Sequence, residues 1–313
     1  MNAIHVELIG FGQIGRMLFR KWADSGLIAV DKVVDPAFAG QDANILADRR
    51  GDPLKIVSEP VAGPELAVVT TRSRLDDVLP LVRRCVELEM SVVTSCEELF
   101  FDRSKAVREV ADLAEKQSLA ILACGINPGF LMDLLPAVLS GASMNIRSVT
   151  VERYQDASGR RTQFQKKIGA GLTVDAFAEA VNAGTLRHVG LTQSMNFLAD
   201  ALNWRLSELT EEISPVTDDG VHVRGVRQLG IGRLADGREA IRFDFLAAVG
   251  EKEPRDRIVI DGEPRIESVI PGGLNGDAGT CAVMTSLVRR VAACGQTGLL
   301  SLKDLPVFPG NGL

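Results

Sequence analysis

Three groups of residues in this 313-residue chain have the types and spacing that do chemistry. The first is Gly10-Phe11-Gly12-Gln13-Ile14-Gly15, a G-x-G-x-x-G stretch that follows an apolar run at 4–9 and leads into an amphipathic stretch at 16–23. Each glycine has a separate steric task. Gly10 makes the tight turn, Gly12 lets the backbone approach a pyrophosphate, and Gly15 lets the helix pack close to its strand. The amide end of that helix then faces an anion. A second apolar run, 27–34, ends in Asp35, about the separation at which an acidic residue meets the adenosine ribose. The pair of signals predicts a dinucleotide site; a glycine-rich turn in an ordinary α/β domain would leave the placement of Asp35 to chance. A ribose-binding Asp35 repels a 2′-phosphate, so NADH is expected to bind at least as well as NADPH. Arg49 or Arg50 folding back to that phosphate would instead give dual use.

The second group is the acidic pair Glu97-Glu98, just past the apolar run 91–94. A carboxylate there can donate a proton, accept one, or anchor a cation. Ser95 followed by Glu98 also matches the S-x-x-E capping box, so Glu98 has a structural explanation that Glu97 lacks. Glu97 is therefore the better catalytic candidate of the two.

The third group spans Asp156-Ala157-Ser158-Gly159-Arg160-Arg161 and Gln165-Lys166-Lys167-Ile168-Gly169-Ala170-Gly171. Glycines and cations in one loop suit an anionic group such as a carboxylate, with Lys166 and Gly169 as candidate substrate contacts. A solvated basic loop is the plainer reading of any single residue there. Tyr154, the only tyrosine, offers a phenol for catalysis or a packed core position. His5, His188 and His222 are isolated from one another and from any nucleophile, and no role is assigned to them. Asp277 reads as the N-cap of the final helix.

These groups need elements to position them. Runs at 66–70, 91–94 and 119–123 read as buried parallel strands, and 75–89 and 102–117 as helices between them, which requires right-handed crossovers. In such a sheet ligands bind beyond the carboxyl ends of the strands. The residues there are Thr70-Thr71-Arg72-Ser73, Ser95-Cys96-Glu97-Glu98 and Cys124-Gly125-Ile126-Asn127-Pro128-Gly129, all of which any exposed loop could also carry. The Asn127 amide could meet the nicotinamide end of a cofactor or the substrate, or Asn127-Pro128-Gly129 could be plain turn chemistry. Past Gly129 a helix is expected to about Ser140, a strand over 146–154, helices over 174–181 and 191–209, and then short strands with turns at Asp236-Gly237 and Asp261-Gly262. The fold class is thus α/β: a Rossmann-type doubly wound parallel sheet with a second α+β domain containing a mostly antiparallel sheet. The boundaries expected are a dinucleotide-binding domain over 1–128, completed by 277–313, and a substrate and dimerisation domain over 129–276. In the last helix Ala282, Val283, Leu287 and Val291 recur at helical spacing and are expected to pack on the nucleotide domain.

Composition narrows the function. The chain is 46% hydrophobic and only 5% aromatic, which suits an aliphatic α/β core of two domains. With a net charge of −6 and scattered basic pairs, nucleic acid is not expected as a partner. No run reaches the roughly 18 apolar residues of a membrane span, and no basic region with an apolar core opens the chain, so the expectation is a cytoplasmic protein without membrane contact. The five cysteines lack metal-ligand spacing, which predicts reduced thiols and no metal.

The chain as a whole resembles the dihydrodipicolinate reductase-like oxidoreductases, and within them the 2,4-diaminopentanoate dehydrogenase and native amine dehydrogenase branch. The resemblance runs nearly end to end and is carried by Gly10 to Gly15, Thr70 to Ser73, Val93-Thr-Ser-Cys-Glu-Glu-Leu99, Gly125-Ile-Asn-Pro-Gly-Phe-Leu-Met-Asp133, Gln165 to Gly171 and Pro271-Gly-Gly-Leu-Asn-Gly-Asp277. Dihydrodipicolinate reductase itself carries a His pair and a Lys before an Asp-Ala-Pro-Ser-Gly segment. Here the matching region is Val151-Glu-Arg-Tyr-Gln-Asp-Ala-Ser-Gly159, without them. The resemblance implies a catalytic glutamate after the fifth strand, matched by Val93 to Leu99, and NAD(H) or NADP(H) as cofactor. It further implies oxidative deamination of a small amine or diamino acid, or reductive amination of the ketone with ammonia, by a homodimer. A reductase of a preformed cyclic C=N bond and a non-catalytic dinucleotide-binding protein are the alternatives.

Overall fold

The computed structural model describes residues 3–160, 162–305 and 307. Arg161 of the basic loop and residues 306 and 308–313 of the expected C-terminal completion lie outside the described residues. The chain forms two compact units, Met1–Phe130 with Gly276–Leu313, and Leu131–Asn275. The first begins with β1 (Ile4–Ile9), α1 (Gln13–Ser25), β2 (Ile28–Val34), α2 (Ala43–Leu46), β3 (Leu66–Val69), α3 (Leu75–Glu87), β4 (Ser91–Thr94), α4 (Lys105–Lys116) and β5 (Ala120–Ala123). The second holds α5 (Leu134–Ser140), β6 (Met144–Asp156), α6 (Thr162–Lys167), α7 (Val174–Asn182) and α8 (Leu191–Ala201), followed by β7 (Leu206–Thr217), β8 (Val223–Leu234), β9 (Glu239–Ala248), β10 (Arg255–Glu263) and β11 (Ile266–Pro271). The chain then returns to the first unit with α9 (Gly276–Cys294) and β12 (Gly298–Leu299).

The sheet of the first unit runs β12-β5-β4-β3-β1-β2, with every neighbouring pair parallel. Every residue of β3, β4 and β5 except Ser91 is buried, as apolar strands covered by helices on both faces must be. The winding direction reverses between β1 and β3, which places a crevice at the carboxyl ends of these two strands. α9 packs within this unit: the indole nitrogen of buried Trp22 in α1 donates to Thr285 Oγ1 at 2.9 Å. Val283, Leu287 and Val291 are buried as their spacing predicts, but Ala282 is exposed, and Cys281, Met284 and Val288 complete the inward face. The helix starts at Gly276, so Asp277 lies in its first turn and is not the N-cap.

The second unit has a six-stranded sheet in the order β11-β10-β6-β9-β8-β7, antiparallel throughout except for β6 with β9. The fold class is the α/β one expected, a Rossmann-type parallel sheet and a second, mostly antiparallel one. Val149 and Val151 of β6, Phe243 and Phe245 of β9, and Ile258 and Ile260 of β10 form its core with Leu191, Met195 and Leu198 of α8. The helix expected over 191–209 stops at Ala201. Asn203 takes a left-handed φ of +55°, a conformation that asparagine tolerates and an α-helix cannot contain, and the chain leaves it as β7.

Candidate active site

The glycine turn closes at the switch point between β1 and β3. Gly10 has a φ of +93°, and a Cβ on it would stand 2.8 Å from the carbonyl carbon of Thr70. A Cβ on Gly15 would stand 2.0 Å from the Gly10 carbonyl oxygen, so the helix can approach its strand only with glycine there. At Gly12 the same construction meets nothing within 4 Å. Gly12 is also the N-cap of α1, with no side chain capping it and no acid in the first turn of the helix. Open space over uncapped amides fits an anionic diphosphate.

Asp35 ends β2 beside this turn. Its Oδ2 accepts the Phe11 amide at 2.8 Å and its Oδ1 the Ala37 amide at 3.0 Å. A carboxylate has about four acceptor positions, so two remain for a diol. The cation beside the turn is Arg16, which sequence reading did not single out. Its Nε donates to the Phe11 carbonyl at 2.8 Å, and its guanidinium lies 4.8 Å from the Phe38 ring centroid. Arg49, one of the two arginines considered for a 2′-phosphate, donates from Nη1 to Asn44 Oδ1 at 2.8 Å.

The remaining strand ends converge on the same crevice. Buried Thr70 donates from Oγ1 to the Gly10 carbonyl at 2.8 Å, tying β3 to the glycine turn. Thr71 and Arg72 are exposed, and Ser73 uses its carbonyl to accept the Glu98 amide and the Cys96 thiol, at 3.2 Å each. Burial pushes the Cys96 thiol up to about 12, which leaves it unreactive. Glu98 does cap a helix, though not one begun by Ser95. Its Oε2 accepts the Leu75 amide at 2.8 Å and so caps α3 from a distant segment. Glu97 is half-buried at the head of a single 3-10 turn over Glu98–Phe101, which its side chain does not cap. Both acids follow β4, the fourth strand and not the fifth. After β5, Asn127 is buried and precedes Pro128 through a cis peptide bond, and the loop is held by Ile126, whose amide donates to Thr280 Oγ1 of α9 at 3.3 Å.

In the second unit the Tyr154 hydroxyl donates to Asp244 Oδ2 at 2.9 Å, while Arg227 clamps that carboxylate and the Arg255 guanidinium covers the ring at 4.4 Å from its centroid. Burial and the Asp244 charge push the phenol up to about 12. Lys166 and Lys167 are exposed at the end of α6, and Gly169 is buried, with a Cβ there meeting Phe177 at 2.7 Å. On the helix-covered face of the sheet the register sets Asp256, Arg153, Phe245, Gln228 and Ile213 side by side across β10, β6, β9, β8 and β7. Buried Arg153 donates to buried Asp256 at 3.1 Å and to the Leu274 carbonyl at 3.2 Å. His188, to which no role was assigned, stacks on Phe245 with 4.4 Å between ring centroids. Its residue as a whole keeps intermediate exposure, but the stacked ring is desolvated, and burial beside Lys167, Arg153 and Arg187 pushes its pKa down to about 3. The imidazole is therefore neutral. The signal available for this row was a polar residue at an inward-facing position of β10, β6 and β8, but nothing in sequence aligns the five strands. Among the described residues no group of three or more His, Cys, Asp or Glu side chains could hold a metal, and no helix is long and apolar enough to cross a membrane.

A parallel sheet with its glycine turn at the switch point, followed by a mostly antiparallel sheet, is the architecture of the Rossmann-type dehydrogenases. The chain is an oxidoreductase of that class. Residues 130–310 match the 2,4-diaminopentanoate dehydrogenase C-terminal domain, and the chain belongs to that family. A 2,4-diaminopentanoate dehydrogenase of Acetoanaerobium sticklandii is 26% identical over 96% of this chain and 87% of its own length. An amine dehydrogenase of Streptomyces virginiae is 25% identical over 97% of this chain and 96% of its own. In fold the chain is similar to the amine dehydrogenase of Mycobacterium smegmatis, with a TM-score of 0.81 and 19% identity over 96% of this chain and 95% of that one. It is also similar to GenD2 from gentamicin A biosynthesis in complex with NAD, with a TM-score of 0.61 and 12% identity over 97% of this chain and 90% of that one.

Proposed function

We propose that the protein is an NAD(P)-dependent amine dehydrogenase that converts a small amine or diamino acid to the ketone, and in reverse aminates the ketone with ammonia. The observation that carries this is the division of labour between the two acids after β4: Glu98 is committed to capping α3, which leaves Glu97 as the acid of the pair that no capping role explains. The names of the relatives support the same chemistry. Residues 1–128 with 277–313 hold the dinucleotide, and 129–276 take the substrate and form a homodimer interface.

A nicotinamide dinucleotide held by the glycine turn and Asp35 would supply the hydride acceptor for oxidation at the amine-bearing carbon. The reaction balances when the protonated amine, oxidised cofactor and water give the ketone, an ammonium ion, reduced cofactor and a proton. Glu97 accepts the proton that frees the amine lone pair, stabilises the positive iminium by its own charge, and orients the water that adds to carbon. Gly10, Phe11, Gly12, Gln13, Ile14 and Gly15 hold the pyrophosphate, Asp35 the ribose, and Thr70 to Ser73, Cys96, Asn127 and Pro128 line the strand ends beyond it. Asp35 favours NAD(H), and Arg16 beside it gives a 2′-phosphate a counter-charge, so NADP(H) is used as well.

Glu97→Gln tests the reading. Turnover of amine oxidation should fall by about 10²–10⁴ with NADH affinity unchanged within a few-fold. Full activity in Glu97→Gln with loss in Glu98→Gln would move the role one residue along. Reduction that proceeds without ammonia would identify a cyclic C=N reductase instead, and cofactor binding without any turnover a non-catalytic protein.

A further inference from the structure

A single peptide group in the glycine turn ties together the ends of β1, β2 and β3. Its carbonyl, that of Gly10, accepts the Thr70 hydroxyl at 2.8 Å, and its amide, that of Phe11, donates to Asp35 Oδ2 at 2.8 Å. The Thr70 hydroxyl lies 3.4 Å from the Ile9 carbonyl, so Gly10 is its nearer acceptor. Gly10, Phe11 and Thr70 are all buried, which keeps bulk water from replacing a lost donor. The main chain of Asp35 is fixed separately, its amide donating to the Val57 carbonyl at 2.9 Å. The direction of its carboxylate depends on two amides, Phe11 on Oδ2 and Ala37 on Oδ1. Of these, only the Phe11 amide belongs to a peptide that Thr70 holds from the other end.

We propose that Thr70 is a positioning residue for cofactor choice: its hydroxyl, acting through the peptide between Gly10 and Phe11, aims the Asp35 carboxylate and so sets the preference for NADH over NADPH. This deepens the proposed function and rests on its assignment of Asp35 to the ribose. The chain from hydroxyl to carbonyl and from amide to carboxylate is cooperative, because a donor on the carbonyl polarises the peptide and makes its N–H a stronger donor in turn. A carboxylate gripped by an amide of fixed direction keeps its two remaining acceptor positions in one orientation. Without the hydroxyl, the buried Gly10 carbonyl loses that partner, and the peptide turns toward another at the expense of the Phe11 bond to Asp35. A carboxylate held by the Ala37 amide alone binds a diol less well and moves aside more readily for a 2′-phosphate. NADH is then bound more weakly and NADPH more tightly.

The test measures dissociation constants of NADH and NADPH for the whole chain by calorimetry, in wild type, Thr70→Val, Thr70→Ser, Asp35→Ser and the double variant Thr70→Val, Asp35→Ser. Thr70→Val keeps the branched shape and deletes the donor, and should lower the ratio of the NADPH to the NADH constant about fivefold, the worth of one hydrogen bond. Thr70→Ser restores the donor and should restore the ratio. In the Asp35→Ser background Thr70→Val should leave the ratio where it is, because the effect passes through that carboxylate. An equal drop there would mean that Thr70 acts on the cofactor by another route, and overturns the inference. So does an unchanged ratio in Thr70→Val when Asp35→Ser alone shifts it toward NADPH, a result that leaves the ribose assignment standing. If Asp35→Ser itself leaves the ratio unchanged, the ribose assignment fails and the inference with it. Should Thr70→Val not fold, Thr70→Ala removes the same donor with less bulk and is held to the same outcomes.

Discussion

The two faces of the second unit's sheet handle charge in opposite ways. On the face that carries Tyr154, Arg227 clamps Asp244, Arg255 donates to Glu152 at 2.9 Å, and Arg257 donates to Glu152 at 2.8 Å and to Glu267 at 2.7 Å. Every one of these arginines has a carboxylate. On the helix-covered face Arg153 and Asp256 form a pair in which both side chains are buried. Partial exposure lets water screen the first set, so its pairs tolerate change. Burial removes that screening from the second, so removing either member of the pair leaves an uncompensated charge that costs stability.

The largest effect should come from breaking the buried pair. Arg153→Met leaves the Asp256 carboxylate buried with only the Leu274 amide as donor, at 2.6 Å, and should cost about 3–5 kcal/mol in chemical denaturation. The double variant Arg153→Met, Asp256→Leu should recover much of that loss. If the single variant costs no more than an exposed pair, the contrast between the faces fails.

A second, intermediate effect concerns acid. His188 has a pKa near 3 in the folded protein against 6.5 for the free side chain, so below 6.5 the unfolded chain binds the extra proton. Its neutral burial therefore contributes fully above pH 6.5, and that stability is lost as the pH falls from 6.5 toward 3. His188→Gln should flatten this part of the profile of unfolding midpoint against pH. A profile of unchanged slope would show that the imidazole is solvated in the fold.

The smallest effect is expected on the open face. Tyr154→Phe removes one hydrogen bond from an Asp244 that keeps both bonds from Arg227, and should cost about 1 kcal/mol. The phenol titrates near 12, so stability from its neutral form is lost only as the pH rises through 10 toward 12, and the difference between Tyr154→Phe and wild type should be constant from pH 6 to 9. A pH-dependent loss of turnover in this variant would instead give Tyr154 the proton-transfer role that its residue type first suggested.

What the sequence by itself determined was local. The turn from Gly10 to Gly15 and Asp35 at the end of β2 are legible because their steric and electrostatic demands fall on a few neighbouring residues, and the apolar runs of β3 and β5 because burial on both faces leaves no polar position. Tertiary structure decided what required partners from elsewhere. Glu98 was legible as a capping residue, but that it caps α3 at Leu75 depends on a contact 23 residues back in the chain. The early end of α8 depends on one backbone angle at Asn203, which propensity does not fix. The row from Asp256 through Arg153, Phe245 and Gln228 exists only once four strands take their register, and a shift of one residue in any of them would turn its member to the opposite face. His188 looked isolated in sequence for the same reason: its aromatic partner, its clamp and two of its three cationic neighbours come from other elements, and only the folded sheet brings them to it.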